Sequence, residues 1–270
     1  FTFSRNSAAT RVNAQGLVQN VQILSSNLVS NGDFSQEGVE LLSQPVNLVT
    51  DFTTNSGGVI VDADTFTTSG GGLDGIKKSF LTVGKSYKLV IEGDTTSSGF
   101  TIGSLGNSGN EYGSGFGTHY FECINSGLWI RQNTSGTTNI TSFSVKEVGQ
   151  DWTLGTGWSI GNGVANVNYT SLADMSQNIG SSLGKTYKIA FEVSNYVSGS
   201  VKVLLGYGSS PLSPSLTVSA NGIYEVEGTP NAINPQILYV STKTATTQLS
   251  ITNISIIEIT NDTNLPRINY

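Results

Sequence analysis

Two aromatic residues hold equivalent places in a duplicated stretch of this chain, and their surroundings suit the recognition of a sugar. Trp129 lies in "GLWIRQN" and Tyr239 in "QILYVST". In each run the neighbours, Leu128 and Ile130 or Leu238 and Val240, alternate towards a core, so the aromatic points to the other face. A pyranose has an apolar face and a ring of hydroxyls, so it is held by an aromatic platform flanked by planar polar groups. Arg131 and Gln132 follow Trp129 and offer hydrogen-bond donors. Tyr196, in "SNYVSG", is a further candidate at a loop tip. The alternative for Trp129 and Tyr239 is that the outward face is covered by a loop or a neighbouring subunit, and both readings stand at this level.

Catalytic arrangements are poorly supported. Paired carboxylates for glycoside hydrolysis must face each other across about 5–10 Å, and here the acids sit mostly one per strand. Asp62 and Asp64 in "IVDADTF" share a face but read as solvated edge charges. Cys123 is the only cysteine, which removes internal disulfides and cysteine-based zinc sites, and it reads as a small buried residue. The only histidine, His119, is four residues away. On one strand the two would stand about 13 Å apart, too far for proton transfer. The glycine-rich "GSGFGTHYF" lacks the strand-to-helix setting of a phosphate loop. The chain is expected not to be an enzyme.

The elements that must position these residues are strands. Charged residues make up 12% of the 270, against about 25% in an average soluble protein, and Ser, Thr, Asn and 32 Gly take their place. The net charge is −6 and the 13 Lys and Arg are scattered, which argues against nucleic acid. No run approaches the ~20 apolar residues of a membrane span, so no membrane insertion is expected. The chain opens on Phe1, its only methionine is Met175, and no signal-peptide pattern is visible; a processed product or a fragment is expected.

Short β-branched runs recur about every ten residues between Gly, Ser, Asn and Asp clusters, which predicts an all-β sandwich or jelly roll. "VGKSYKLVIE" at 83–92 returns as "LGKTYKIAFE" at 183–192. Tyr87, Leu89 and Ile91, and likewise Tyr187, Ile189, Phe191 and Val193, point to one face, with Lys and Glu on the other. Each tyrosine is expected in the core with its hydroxyl tied to backbone at the rim. The duplication predicts two tandem antiparallel β-sandwiches, residues 27–149 and 150–260. They are flanked by an extended β segment at 1–26, with a turn at Asn13–Gly16, and another at 261–270. The stretch 33–44, "DFSQEGVELLSQ", is the one candidate helix.

"FTFSRNSAATRVNAQGLVQNV" and the closing "NLPRINY" resemble a recurrent segment of tail-fibre and other structural proteins of tailed bacteriophages. "NLVSNGDF", "DWTLGTGWSIGNGVANV" and "LGKTYKIAFEVSNYVSGSVKVLLG" resemble the carbohydrate-binding-module-like jelly rolls of the same proteins. The resemblance implies a component of the virion surface that contacts other virion proteins and host-surface glycans. It also implies a homo-oligomer, with a trimer favoured. Relatives often hold a structural calcium near the "NGDF" start, which would place Asp33 at a metal; the last strands here carry no matching carboxylate, and Asp33 beside Gly32 also suits a turn. Two alternatives belong to other classes: a decoration or spacer protein that binds no sugar, and a secreted bacterial adhesin or carbohydrate-binding module.

Overall fold

The computed structural model describes residues 10–12, 18–20, 23–104, 110–206, 215–230 and 236–259. The expected Asn13–Gly16 turn, the strand at "FTFSR" and the segment 261–270 lie outside these residues. Strands β1 (Thr10–Val12) and β2 (Val18–Asn20) pair antiparallel with Thr10 opposite Asn20, the hairpin that the sequence around them predicts.

The chain divides into two compact units. One holds Phe34–Gln150 and Ser159–Ala165, the other Phe1–Asp33, Asp151–Trp158 and Asn166–Tyr270. The next elements in order are β3 (Glu37–Glu40), α1 (Leu48–Asp51), β4 (Thr53–Asn55), β5 (Gly58–Ile60), β6 (Thr65–Thr68) and β7 (Gly75–Ser79). They continue as β8 (Ser86–Thr95), β9 (Phe100–Ser104), β10 (Glu111–Ser114), β11 (Gly117–Glu122), β12 (Gly127–Gln132) and β13 (Gly136–Val148). Two antiparallel sheets result, ordered β10-β9-β12-β7-β4 and β11-β8-β13-β6-β5, with β3 added alongside β13.

The second series is β14 (Thr153–Leu154), β15 (Trp158–Gly161), β16 (Val164–Tyr169), β17 (Asp174–Asn178), β18 (Thr186–Ser198), β19 (Val201–Leu205), β20 (Ser215–Val218), β21 (Gly222–Gly228), β22 (Ile237–Thr242) and β23 (Thr247–Ile259). Its sheets run β14-β17-β22-β19-β20 and β15-β16-β23-β18-β21. Each strand from β4 to β13 reappears ten places later with the same neighbours. The chain is thus all-β, with two antiparallel sandwiches built from one plan.

Alternation explains the cores. Tyr87, Leu89 and Ile91 on β8, and Tyr187, Ile189, Phe191 and Val193 on β18, are buried. The Tyr87 hydroxyl accepts a hydrogen bond from Thr82 N at 2.8 Å, and the Tyr187 hydroxyl from Ser182 N at 2.8 Å. Both rim bonds match the expectation from sequence, and each turn is closed by a glycine at positive φ, Gly84 or Gly184.

Two expectations change. The candidate helix at 33–44 is strand β3 instead: Glu40 turns its carboxylate onto Leu41 N, Leu42 N and Val145 N, and the backbone pairs with β13. The one helical turn among the described residues is α1, where the Asn47 side chain caps Val49 N. Residues 27–33, read from sequence as the head of the first sandwich, belong with the second unit. Leu28 N donates to Ile256 O, Ile254 N to Gly32 O and Leu24 N to Glu258 O, while Asn27 Oδ1 accepts from Ile256 N. This segment does for β23 what β3 does for β13.

Candidate functional site

β12 is the central strand of its sheet. Leu128 and Ile130 fill the core, so Trp129 and Arg131 lie on the opposite face, as alternation predicts. The register sets their neighbours. One row reads Gly103, Trp129, Lys77 and Thr53 across β9, β12, β7 and β4, and the next reads Thr101, Arg131, Gly75 and Asn55. Gly75 is required there, because a Cβ would run into the Ile130 carbonyl.

The face is not the open platform that the sequence suggested. Trp129 is only 5% exposed. The Arg131 guanidinium lies 5.5 Å from the indole centroid, within the range of a cation–π contact. Arg131 is held from two sides: Nη1 donates to Gly72 O at 3.4 Å and Nη2 to Glu111 Oε1 at 3.5 Å. Both distances are at the weak end for hydrogen bonds. Trp129 Nε1 has no protein partner. A cavity of about 10 Å³, room for one water, opens beside the ring and is lined by Trp129, Arg131, Thr101, Asn110 and Glu111 among others. On the other flank Lys77 Nζ donates to Asn55 Oδ1 at 2.9 Å. The arrangement is an aromatic floor with cationic and amide groups around it. Gln132 is not among them: it is buried on the core side and locked between the Thr68 and Thr138 hydroxyls.

Asp74 holds the loop that presents Arg131. Its carboxylate accepts from Ser69 Oγ at 2.7 Å, Gly71 N at 2.8 Å and Gly57 N at 2.9 Å. The Ser69 hydroxyl first, then the two amides, keep its pKa below the ordinary aspartate range. The loop so fixed offers Gly72 O to Arg131 and Leu73 O to Asn55 Nδ2. Sequence reading missed Asp74, Lys77, Asn55 and Glu111. The signals present were an aspartate closing the glycine run "SGGGLDG", and Lys77 alternating with core Ile76.

In the second unit Tyr239 occupies the matching place on β22. It is half-buried, packs on Leu204, and is flanked across the sheet by Leu204 and Ser176. Tyr196 is not brought to it. That side chain sits near the end of β18, in the other sheet, where its hydroxyl donates to Gly199 O at 3.2 Å and its N–H to Asn221 Oδ1 at 2.9 Å. It ties down the turn between β18 and β19, which lie in different sheets. Asp33 is exposed at the rim of a hollow of about 400 Å³ shared with Asn27, Asn31 and Asn253, and it is the only carboxylate lining it. Asn27 Oδ1 is already engaged by Val29 N and Ile256 N. Among the described residues no three His, Cys, Asp or Glu side chains gather as a metal site. A lone carboxylate is a poor donor set for calcium, so the residues present do not fit that ion.

His119 and Cys123 stay apart in role. The His119 ring meets Gly115 O at 3.1 Å, and the buried Cys123 thiol, its pKa raised by burial, donates to Asn125 O at 3.1 Å. Asp62 does not face Asp64 as a catalytic partner; it accepts from Asp64 N and Thr65 N within the turn between β5 and β6. No helix of the described residues is long and apolar enough to cross a membrane.

No family model and no curated protein sequence matches the chain. Among solved structures, it is similar to the amino-terminal CBM22-1–CBM22-2 tandem domain of Xyn10C from Paenibacillus barcinonensis, with 11% identity and a TM-score of 0.29 over 82% of this chain and 98% of that one. It is also similar to the tandem CBM51 modules of Sp3GH98, a family 98 glycoside hydrolase from Streptococcus pneumoniae, with 6% identity and a TM-score of 0.25 over 88% and 99%.

Proposed function

We propose that this chain is a non-catalytic saccharide-binding protein whose first sandwich carries the site, on the solvent-side face of the sheet centred on β12. The supporting observation is the frame around Trp129: a buried indole with Arg131 drawn across it by long, weak bonds, and Lys77, Asn55, Thr101 and Glu111 in the adjoining rows. Strand pairing sets the rows, so the frame is preorganised, and a sugar ring that approaches the indole displaces Arg131 from it. Tyr239 offers a smaller, more open counterpart in the second unit, with Leu204 and Ser176 in its own row and Lys202, Ser241 and Asp174 in the next.

The finer reading places the chain on a bacteriophage virion, as a surface or fibre component that meets host glycans and assembles as a homo-oligomer, a trimer first. It rests on the resemblance of "SRNSAATRVNAQGLV" and "LPRINY" to tail-fibre proteins. A glycan array tests the function. Binding should be lost in Trp129→Ala and kept in Tyr196→Phe. Absence of binding by folded protein across microbial surface glycans would replace this reading with a spacer or decoration role. Light scattering tests the assembly, and a monomer at micromolar concentration counts against it.

A further inference from the structure

We infer that the saccharide taken by the first sandwich carries a carboxylate, received between Lys77 and Arg131; this rests on the saccharide-binding reading above. Trp129 and Lys77 are directly paired across β12 and β7, and Arg131 is two residues beyond Trp129 on the same face. Lys77 and Arg131 are therefore diagonal neighbours, roughly 7–8 Å apart at the backbone, and both are long enough to converge on one anion. Neither is strongly neutralised. Seven ion pairs occur among the described residues and Lys77 is in none of them; its partner is the neutral Asn55 amide. Arg131 meets its one carboxylate, that of Glu111, at 3.5 Å, and Glu111 is mostly exposed. Glu111 pairs with Gly103, on the far side of Trp129 from Lys77, so it engages Arg131 alone and leaves Lys77 apart. Two cations with spare hydrogen-bonding capacity beside an indole are notable in a chain of net charge −6. The matching positions of the second unit are Ser176 and Ser241, which are neutral; the cation in that row, Lys202, faces Ser241 with the Asp174 carboxylate on its other side, so the pair of cations beside the aromatic belongs to the first sandwich alone.

The test uses the full chain and a panel of acidic polymers (polygalacturonate, alginate, hyaluronate, polysialate), each beside its methyl-esterified form, by isothermal titration. The expected result is binding to at least one acid form and a loss on esterification, with weaker binding as salt rises. Lys77→Gln and Arg131→Gln should each weaken it by about tenfold, as for one charge-assisted hydrogen bond. Lys188→Gln, which removes a charge from the other sheet of the second unit, should leave it unchanged; circular dichroism checks folding of all three. Equal binding to acid and ester, or no effect of Lys77→Gln, overturns the inference. Binding only to neutral glycans overturns it while leaving the saccharide-binding reading intact. No binding to any saccharide by folded protein overturns both.

Discussion

Arg131→Ala should uncover Trp129, and the size of the effect follows from where the three tryptophans sit. Trp129, Trp152 and Trp158 are 5%, 6% and 0% exposed, so the native chain should show little quenching of indole fluorescence by acrylamide. Trp152 donates its Nε1–H to Asn31 O, and Trp158 lies in the core; neither is among the contacts of Arg131. Removing the guanidinium opens one of three indoles, so about one third of the emission should become steeply quenchable. The energetic cost is small. A cation–π contact whose arginine is 19% exposed is worth about 1 kcal/mol, between the exposed and desolvated values, and an ion pair as long as that to Glu111 adds about 0–1 kcal/mol. The first unit should lose roughly 1 kcal/mol, or about 3–5 °C in Tm, and remain folded. Trp129→Phe in the same background should remove the new quenchable fraction. If Arg131→Ala leaves quenching unchanged, other groups shield the ring, Arg131 is not its cover, and the proposed saccharide site on this face is refuted.

Other outcomes follow from the same geometry. Tyr87→Phe and Tyr187→Phe each remove an acceptor from a turn amide, and each should cost about 1 kcal/mol; hydrogen exchange should show Thr82 N–H or Ser182 N–H losing protection by roughly fivefold, each only in its own variant. Asp74 has a depressed pKa, so its contribution is fully present above the unfolded value of about 3.9 and is lost as pH falls through the folded one. Asp74→Asn should therefore be less stable than the parent at neutral pH, with the deficit shrinking in acid-unfolding curves below about pH 4. Chelation of calcium should leave the melting temperature unchanged, because Asp33 has no second carboxylate beside it; a fall in Tm on chelation would reverse that assignment.

Much of the architecture was legible because its cause is local. A period of two needs no tertiary information to sort Tyr87, Leu89 and Ile91 from Lys88 and Glu92, and the repeated "GKxYK" forecast both the doubled plan and the tyrosine rim bonds. It also placed Trp129 correctly on the face away from the core. Where a local pattern was ambiguous, partners decided it: residues 37–40 are strand because β13 and the Glu40 carboxylate claim their surroundings.

The sequence by itself determined which side of its strand each residue faces, because the pleat does so. It could not determine what lies across that face. Lys77 and Trp129 are 52 positions apart, and only pairing between β7 and β12 makes them neighbours. The fold likewise decided that Arg131 bends back over the indole, since Gly72 O and Glu111 come from two other parts of the chain. It also decided that residues 24–32 run beside β23, more than 220 positions away, where the last strand of the second sandwich has backbone groups to satisfy. Facing is a property of the backbone repeat, while neighbourhood is a property of closure over long loops, and the site depends on both.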